Sequence, residues 1–266
     1  MTDEISGDIR LSIGDRLRYL WRNFLRVISS VGRGTKSTAF RPSDTSIARL
    51  TTQSPSRFLT EAFFAENLRA LLPDRPLSIL EVGCGSGSLS ARMAGLGVTG
   101  SYLGIDIGNR FAAKSTDEMS VDFLQTDAHL FAPEPSSFDL IISVSALEHI
   151  PRDKDLIAKF PSFLRPGGIQ VQVVPAGASL AGYLWHGYRQ YTPLMLAERF
   201  PHASLVRLGG LASLVFHMIF ITPEMFVRRF FRSRFPKAYR NLLLGALALD
   251  RLLPICPTSF VVISRH

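Results

Sequence analysis

The chain is poor in cysteine: among its 266 residues only Cys84 and Cys256 carry a thiol. Two thiols so far apart make neither a disulfide framework nor a zinc spacing, and a reducing, intracellular setting is the expectation. Long apolar runs are also missing. "LASLVF" and "MIFI" are separated by His217, and "LLLGALAL" is closed by Asp250 and Arg251. Each falls short of the roughly 20 apolar residues that a spanning helix needs. The acidic start "MTDEISGD" is unlike a secretory signal, and no internal repeat or low-complexity tract is present. Acid is the scarcer sign, with 22 Asp and Glu against 30 Lys and Arg, for a formal charge of +8. This favours anionic partners (nucleic acid, anionic lipid or an acidic small molecule) without choosing among them. What is plentiful is apolar material, 46% of the chain against 20% charged, enough for one large domain with additions.

From Gly14 to Ser30, Leu17, Leu20, Trp21, Phe24, Leu25 and Ile28 recur at helical spacing, and Arg18, Arg22 and Arg26 follow a different stripe. The pattern predicts a basic amphipathic helix. "SSVGRGTKSTAFRPSDTS" reads as a loop or linker, and a second helix is expected over Pro55 to Leu72. Strands and helices then alternate. "LSILEVG", "GSYLGIDIG", "VDFLQTDA", "FDLIISVSAL" and "GGIQVQVVPA" read as strands. "GSLSARMAGLG" and "DKDLIAKFPSFL" read as helices, and "NRFAAKS" as a short helix or turn. Such alternation implies crossover units and a mostly parallel α/β sheet. Burial on both faces explains why "DLIIS" does not alternate. Beyond Pro175, "TPLMLAERF" predicts a helix capped by Thr192 with Pro193 in its first turn. "TPEMFVRRFFRSRF" repeats that start, and "ASLVRLG" and "TSFVVISRH" read as strands.

The turn "EVGCGSGS" sets a puzzle, because a glycine turn after a strand usually cradles phosphate and here Glu81 stands at its lip. A P-loop needs a lysine, and none is present. A dinucleotide fingerprint needs G-x-G-x-x-G, whereas Gly83, Gly85 and Gly87 run G-x-G-x-G, and Glu81 would face the pyrophosphate with like charge. A carboxylate suits a guest that is cationic there, such as the ammonium and sulfonium of S-adenosylmethionine, with glycines permitting close backbone approach.

On these residues the sequence resembles the class I S-adenosylmethionine-dependent methyltransferases, in particular the small-molecule "type 11" and ubiquinone-pathway group. The resemblance covers roughly Leu77 to Ala176 through "LEVGCGSGS", "LGIDIG", "LQTDAH", "FDLIISVSALEHIP" and "LRPGG" in order. It implies a Rossmann-like sheet of seven strands, mostly parallel with the last antiparallel, and S-adenosylmethionine as cofactor. It implies that Glu81, Gly83, Cys84 and Gly85 lie at the methionine end of the cofactor and that Asp106, with Ile107 beside it, holds the ribose hydroxyls. Asp127 would accept from the adenine amino group, Ala128 would lie against the ring, and Ser143 would belong to the strand flooring the site. Cys84 reads as a small apolar filler whose backbone matters more than its thiol.

For the acceptor, His149 in "LEHI" is the candidate base, since it follows the fourth strand at the cofactor end of the sheet. The ubiquinone-type relatives can hold a divalent metal in a Glu-x-x-Glu-His cluster; Ser145 stands at its first position here, so no metal is expected. In "GYLWHGYRQYTP", His186, Arg189 and Tyr191 are candidate substrate residues. The expected division is a helical extension over 1–74 and the methyltransferase domain over 75–266. An insert at about 211–256, longer than a hairpin turn requires, would serve as lid or substrate cover. The first helix and "RRFFRSRFPKAYR" suit contact with a membrane surface, so a cytoplasmic or peripheral place and a small or lipid-linked acceptor, methylated at oxygen, are expected. Nucleic acid is not the expected partner: no Asn/Asp-Pro-Pro-aromatic motif follows the fourth strand, and Cys256-Pro257 lies just before the last one. An RNA methyltransferase and a non-catalytic cofactor-binding protein are the alternatives.

Overall fold

The structure is a computed structural model that describes residues 5–30, 32–34, 36–227 and 231–266. In chain order its elements are α1 (Ile13–Ser29), β1 (Ser37–Ala39), α2 (Asp44–Ala48), α3 (Pro55–Phe63), α4 (Arg69–Leu71), β2 (Leu77–Val82), α5 (Ser88–Gly95), β3 (Gly100–Asp106) and β4 (Met119–Gln125). There follow β5 (Phe138–Val144), α6 (Asp153–Ile157), α7 (Phe160–Phe163), β6 (Leu164–Pro175), α8 (Leu180–Tyr183), α9 (Pro193–Arg199), β7 (Ser204–Leu208), α10 (Leu211–Phe220), α11 (Phe231–Arg234), α12 (Pro236–Asp250) and β8 (Ser259–Arg265).

All strands join one sheet in the order β1-β7-β8-β6-β5-β2-β3-β4. Every pairing is parallel except those of β8, which runs antiparallel between β6 and β7. The fold is therefore the Rossmann-like α/β sheet expected, with one strand more than seven. The addition is β1, whose three residues lie parallel to β7 at the edge. It falls in the stretch read as linker; a segment so short and polar carries no period to betray a strand.

The central strands bury both faces. In β2, Leu77 and Ile79 enter one core and Leu80 and Val82 the other. In β5, Leu140 and Ile142 face the first core and Ile141 the second. Because β2 pairs with β3 on one side and β5 on the other, connections leave it in opposite directions. The carboxyl ends of β2 and β5 thus flank a topological switch point, where open α/β sheets bind ligands.

Helix starts follow local chemistry. Ser54 caps α3 with Pro55 in its first turn, and Thr192 caps α9 with Pro193 likewise. The helix expected over 55–72 runs α3 to α4 through one π turn, Phe64–Leu68. The single helix expected over "DKDLIAKFPSFL" is split into α6 and α7, because Pro161 has no N–H to return to the Ile157 carbonyl. "NRFAAKS" forms neither helix nor strand; the Ala112 and Ala113 N–H groups go instead to the Ser86 carbonyl, both at 3.1 Å. Between β7 and β8 stand α10, a 3-10 turn at Thr222–Met225, α11 and α12. The start of "RRFFRSRFPKAYR", residues 228–230, lies outside the described residues. Among the described residues no helix is long and apolar enough to cross a membrane.

Candidate active site

At the switch point lies a cavity of about 500 Å³, lined among others by Glu81, Gly83, Ser145, Glu148, Tyr183 and His186. Its size lies within the range of small-molecule sites. Gly83 follows β2 with φ +74°, and a Cβ there would stand 2.2 Å from the Ala146 side chain, so the turn passes closely under the loop after β5. Only glycine meets both conditions without strain. Cys84 and Gly85 continue the lining, and the Gly83 and Cys84 N–H groups hold the Ile105 carbonyl at 2.8 and 3.1 Å.

Glu81 ends β2 buried, and burial pushes its pKa up to about 8, against the hydrogen bond donated by the Tyr102 hydroxyl. Withdrawal from water is what disfavours the charged form, and a cation in the cavity would restore it. Asp106 ends β3 half-buried, and each carboxylate oxygen accepts one backbone N–H: Gly85 at 2.8 Å and Gly108 at 2.7 Å. Each oxygen keeps a second lone pair. Asp127 is exposed and caps its own turn, accepting from the His129 N–H at 2.8 Å. Ile107 is exposed and Ala128 half-buried. These residues stand at the ends of β3 and β4 beyond the glycine turn.

The loop after β5 carries Glu148, fully buried, with neither carboxylate oxygen hydrogen-bonded to any described residue. Its Oε1 lies 3.9 Å from His149 Nε2 and 3.8 Å from His186 Nε2, and burial raises its pKa to about 7. His149 stands just behind the lining: its Nε2 is the atom near Glu148, and its Nδ1 is 2.7 Å from Asp8 Oδ2. That hydrogen bond raises the imidazole pKa, with burial opposing it. Burial would lift Asp8, but His149 and the Gly187 N–H (3.0 Å) outweigh it and hold the carboxyl at about 2. His186 stands edge-on to His149 with ring centres 4.5 Å apart, and burial lowers its pKa. The segment bearing Asp8 is tied down as well, since the Gly7 N–H donates to the Gly187 carbonyl at 2.6 Å.

Three of the expected residues stand apart from the cavity lining. Arg189 is fully buried and turned inward, paired with Asp153 at 3.1 Å and donating to the Ile150 carbonyl at 2.8 Å. Tyr191 is fully buried too, its hydroxyl donating to Asp153 at 2.8 Å. Both belong to an ion-paired network under the site rather than to a substrate pocket; only His186 of that trio reaches the cavity. Ser143 is fully buried within β5, and its neighbours Val144 and Ser145 face the cavity instead. Sequence reasoning also missed Asp8. It joins His149 and His186 in a group whose possible ligand atoms all lie within 4.8 Å of one another, a donor set that the departure at Ser145 had hidden. Nothing local in "EISGD" signals this, because the partners are 141 residues apart. Tyr183, stacked on His186 at 5.2 Å, was likewise not singled out.

Comparison with known proteins bears on this geometry. Residues 79–168 match the family described as "Methyltransferase domain". Trans-aconitate 2-methyltransferase of Deinococcus radiodurans is 33% identical over 122 residues, 45% of this chain and 46% of that protein. Ubiquinone biosynthesis O-methyltransferase of Roseobacter denitrificans is 33% identical over 113 residues, 41% and 45% of the two chains. Its counterpart from Mesorhizobium japonicum is 29% identical over 190 residues, 65% and 74%. The chain thus spans just under half the length of the first two. Among solved structures, a S-adenosylmethionine-dependent methyltransferase from Archaeoglobus fulgidus superposes with TM-score 0.52 at 15% identity, covering 79% of this chain and 94% of that one. The cyclase SpnF gives 0.53 at 14%, covering 94% and 95%; both show the fold alone.

Residues 79–168 thus carry a methyltransferase domain, and the fold around them is the one seen in solved S-adenosylmethionine-dependent methyltransferases. The curated proteins that the chain is similar to include methyltransferases named for trans-aconitate and for ubiquinone biosynthesis. The residues present fit S-adenosylmethionine: a buried acid at the cavity, a turn with glycine at every second position beside it, and an acid with spare lone pairs at the next strand end.

Proposed function

We propose that this protein transfers a methyl group from S-adenosylmethionine to an oxygen of a small or lipid-linked acceptor. The observation that carries the reading is the pair of buried acids, Glu81 and Glu148, facing one switch-point cavity with a histidine pair behind the second. Glu81 would hold the cofactor's ammonium, the turn at Gly83, Cys84 and Gly85 its carboxylate end, Asp106 the ribose diol, and Asp127 and Ala128 the adenine. When bound, the cofactor supplies an electrophilic methyl carbon. Asp8 fixes the proton of His149 on Nδ1 and leaves Nε2 as the basic atom. His149 then takes the acceptor's hydroxyl proton, with His186, neutral and lining the cavity, as the group the acceptor meets first. The helices of 211–256 support the site from behind, His217 packing on the lining residue Tyr183 with ring centres 4.5 Å apart. A place at a membrane surface belongs to the same reading.

The test is label transfer from methyl-labelled cofactor into catechol-type acceptors with and without a prenyl tail, with RNA offered in parallel. Label in the organic phase is the expected result. His149→Asn should cut kcat by about 10²–10⁴-fold while calorimetric cofactor affinity is unchanged. Label in RNA alone would replace the reading by an RNA methyltransferase. Tight cofactor binding with no transfer to any acceptor would leave a binding protein or another chemistry; the cyclase neighbour shows that the fold does not dictate the reaction.

A further inference from the structure

Helix α1 is built inside out. The side chains it buries are Tyr19 and Asn23, and they are held by polar contacts. The Tyr19 hydroxyl donates to the His186 carbonyl at 2.7 Å, and Asn23 donates to the Tyr19 carbonyl at 3.1 Å. The apolar stripe faces solvent instead: Ile13 is 79% exposed, Leu17 64% and Trp21 62%, with Phe24, Leu25 and Ile28 about half exposed. At 100° per residue these six positions share one sector of about 120°. Arg18 and Arg22 follow one edge of that sector and Arg16 the other. An unpartnered stripe of this size on a single helix marks a contact surface.

We infer that α1 docks flat on an anionic phospholipid bilayer, its apolar stripe sunk to the level of the acyl boundary and its arginines among the headgroups. Three observations select lipid as the occupant. The helix carries four arginines against one acid, Asp15, on a chain of net charge +8; this complements an anionic surface and opposes pairing with a second, equally basic copy. Trp beside Phe on a helix with an arginine border is the composition of an interfacial helix, and here Trp21 and Phe24 stack at 6.0 Å on the outer face. The face also adjoins the cavity. The residue whose carbonyl Tyr19 grips, His186, lines that cavity. Helix α8 packs against both α1 and α10, and α10 exposes Val215, Met218 and Ile219. Docking would bring the acceptor site to the bilayer surface, where an amphiphile could present its head with its tail still in lipid. The inference does not rest on the methyl-transfer assignments, because vesicle binding requires no turnover.

The experiment is flotation of the full chain with vesicles of phosphatidylglycerol and phosphatidylcholine in equal parts, against phosphatidylcholine alone. Binding to the anionic vesicles is expected, about tenfold or more tighter than to the neutral ones. In a Trp185→Phe background, Trp21 emission should shift to the blue on binding. Leu17→Glu with Trp21→Glu should abolish flotation. Both side chains lie in solvent, so circular dichroism and calorimetric cofactor binding should match the parent and serve as the folding control. No flotation of the parent at low salt would overturn the inference, as would equal binding to neutral vesicles. A dimer that the double variant splits in sedimentation, without vesicle binding, would reassign the face to self-association. Any of these failures leaves the label-transfer test untouched.

Discussion

Cofactor binding should release a proton, and Glu81 is the reason. Burial holds this carboxyl at a pKa of about 8, so at pH 7 roughly nine-tenths of the free protein carries it neutral. A ligand ammonium beside it favours the ionised form, and the proton must leave for the ion pair to form. Calorimetry at pH 7 in two buffers of different ionisation enthalpy should therefore report about 0.9 proton released per cofactor bound. The linkage also fixes a slope. Below pH 8 affinity should fall about tenfold, or 1.4 kcal/mol, per pH unit. Above it the ligand's own α-amino group begins to lose its proton, so affinity peaks near pH 8. Glu81→Gln should weaken binding and abolish the release together. Tyr102→Phe removes the hydroxyl that steadies the ionised form, and should weaken binding by about 1–3 kcal/mol while keeping the linkage. A proton release near zero at pH 7, or a pH-independent affinity between 6 and 8, would refute the idea that Glu81 meets a cation.

Without ligand, the same carboxyl gives the opposite dependence in stability. The folded chain keeps protons on Glu81 and Glu148 that the unfolded chain loses above its ordinary carboxyl value of 4.5, so stability should fall as pH rises from about 4.5 to between 7 and 8. Each group contributes up to about 1.4 kcal/mol per pH unit there, and Glu81→Gln should flatten urea-unfolding stability against pH. Asp106→Ala should cost about 1–3 kcal/mol in cofactor binding by calorimetry, and an unchanged affinity would refute the diol role. Arg189→Met takes one cation from the buried Asp153 carboxylate and leaves it Arg199 and the Tyr191 hydroxyl, both at 2.8 Å, so stability should fall by about 1–3 kcal/mol in thermal or urea unfolding; a variant of parental stability with a raised KM would return Arg189 to the substrate side. Asp8→Asn removes the group that raises His149, so the acidic limb of the kcat/KM profile should move to lower pH, with cofactor affinity unchanged.

What could be read in the sequence is what is contiguous in it. The proposed cofactor half of the site is made of strand ends and a turn, and each motif is complete within a few residues: Glu81 to Gly85, Asp106 with Ile107, Asp127 with Ala128. The resemblance of these short motifs, in their order, to a known family is what pointed to them. The acceptor half is assembled from pieces that carry no motif. The segment "GYRQY" reads the same whether its arginine and tyrosine face a cavity or a core. The deciding fact, Asp153 beneath them, lies 36 residues before Arg189 and 38 before Tyr191. Amphipathicity predicted α1 correctly as a helix, but periodicity cannot say which face turns inward; Tyr19 and Asn23 decided that through their hydrogen bonds.

The same contrast explains why the N-terminal stretch matters more than an appendage would. Asp8 orients His149, Gly7 fits where a Cβ would meet the backbone of Trp185 and His186 at 2.5–2.6 Å, and Tyr19 grips the His186 carbonyl. These contacts converge on the loop over the acceptor side and leave the cofactor turn to the core strands. A scaffold that keeps its donor site in the sheet and builds its acceptor site from a separate segment can change acceptor without disturbing the donor. On that arrangement, substitutions at Gly7, Asp8 or Tyr19 should act on the acceptor's KM and on kcat while cofactor affinity holds, and those at Glu81, Gly83 or Asp106 should do the reverse.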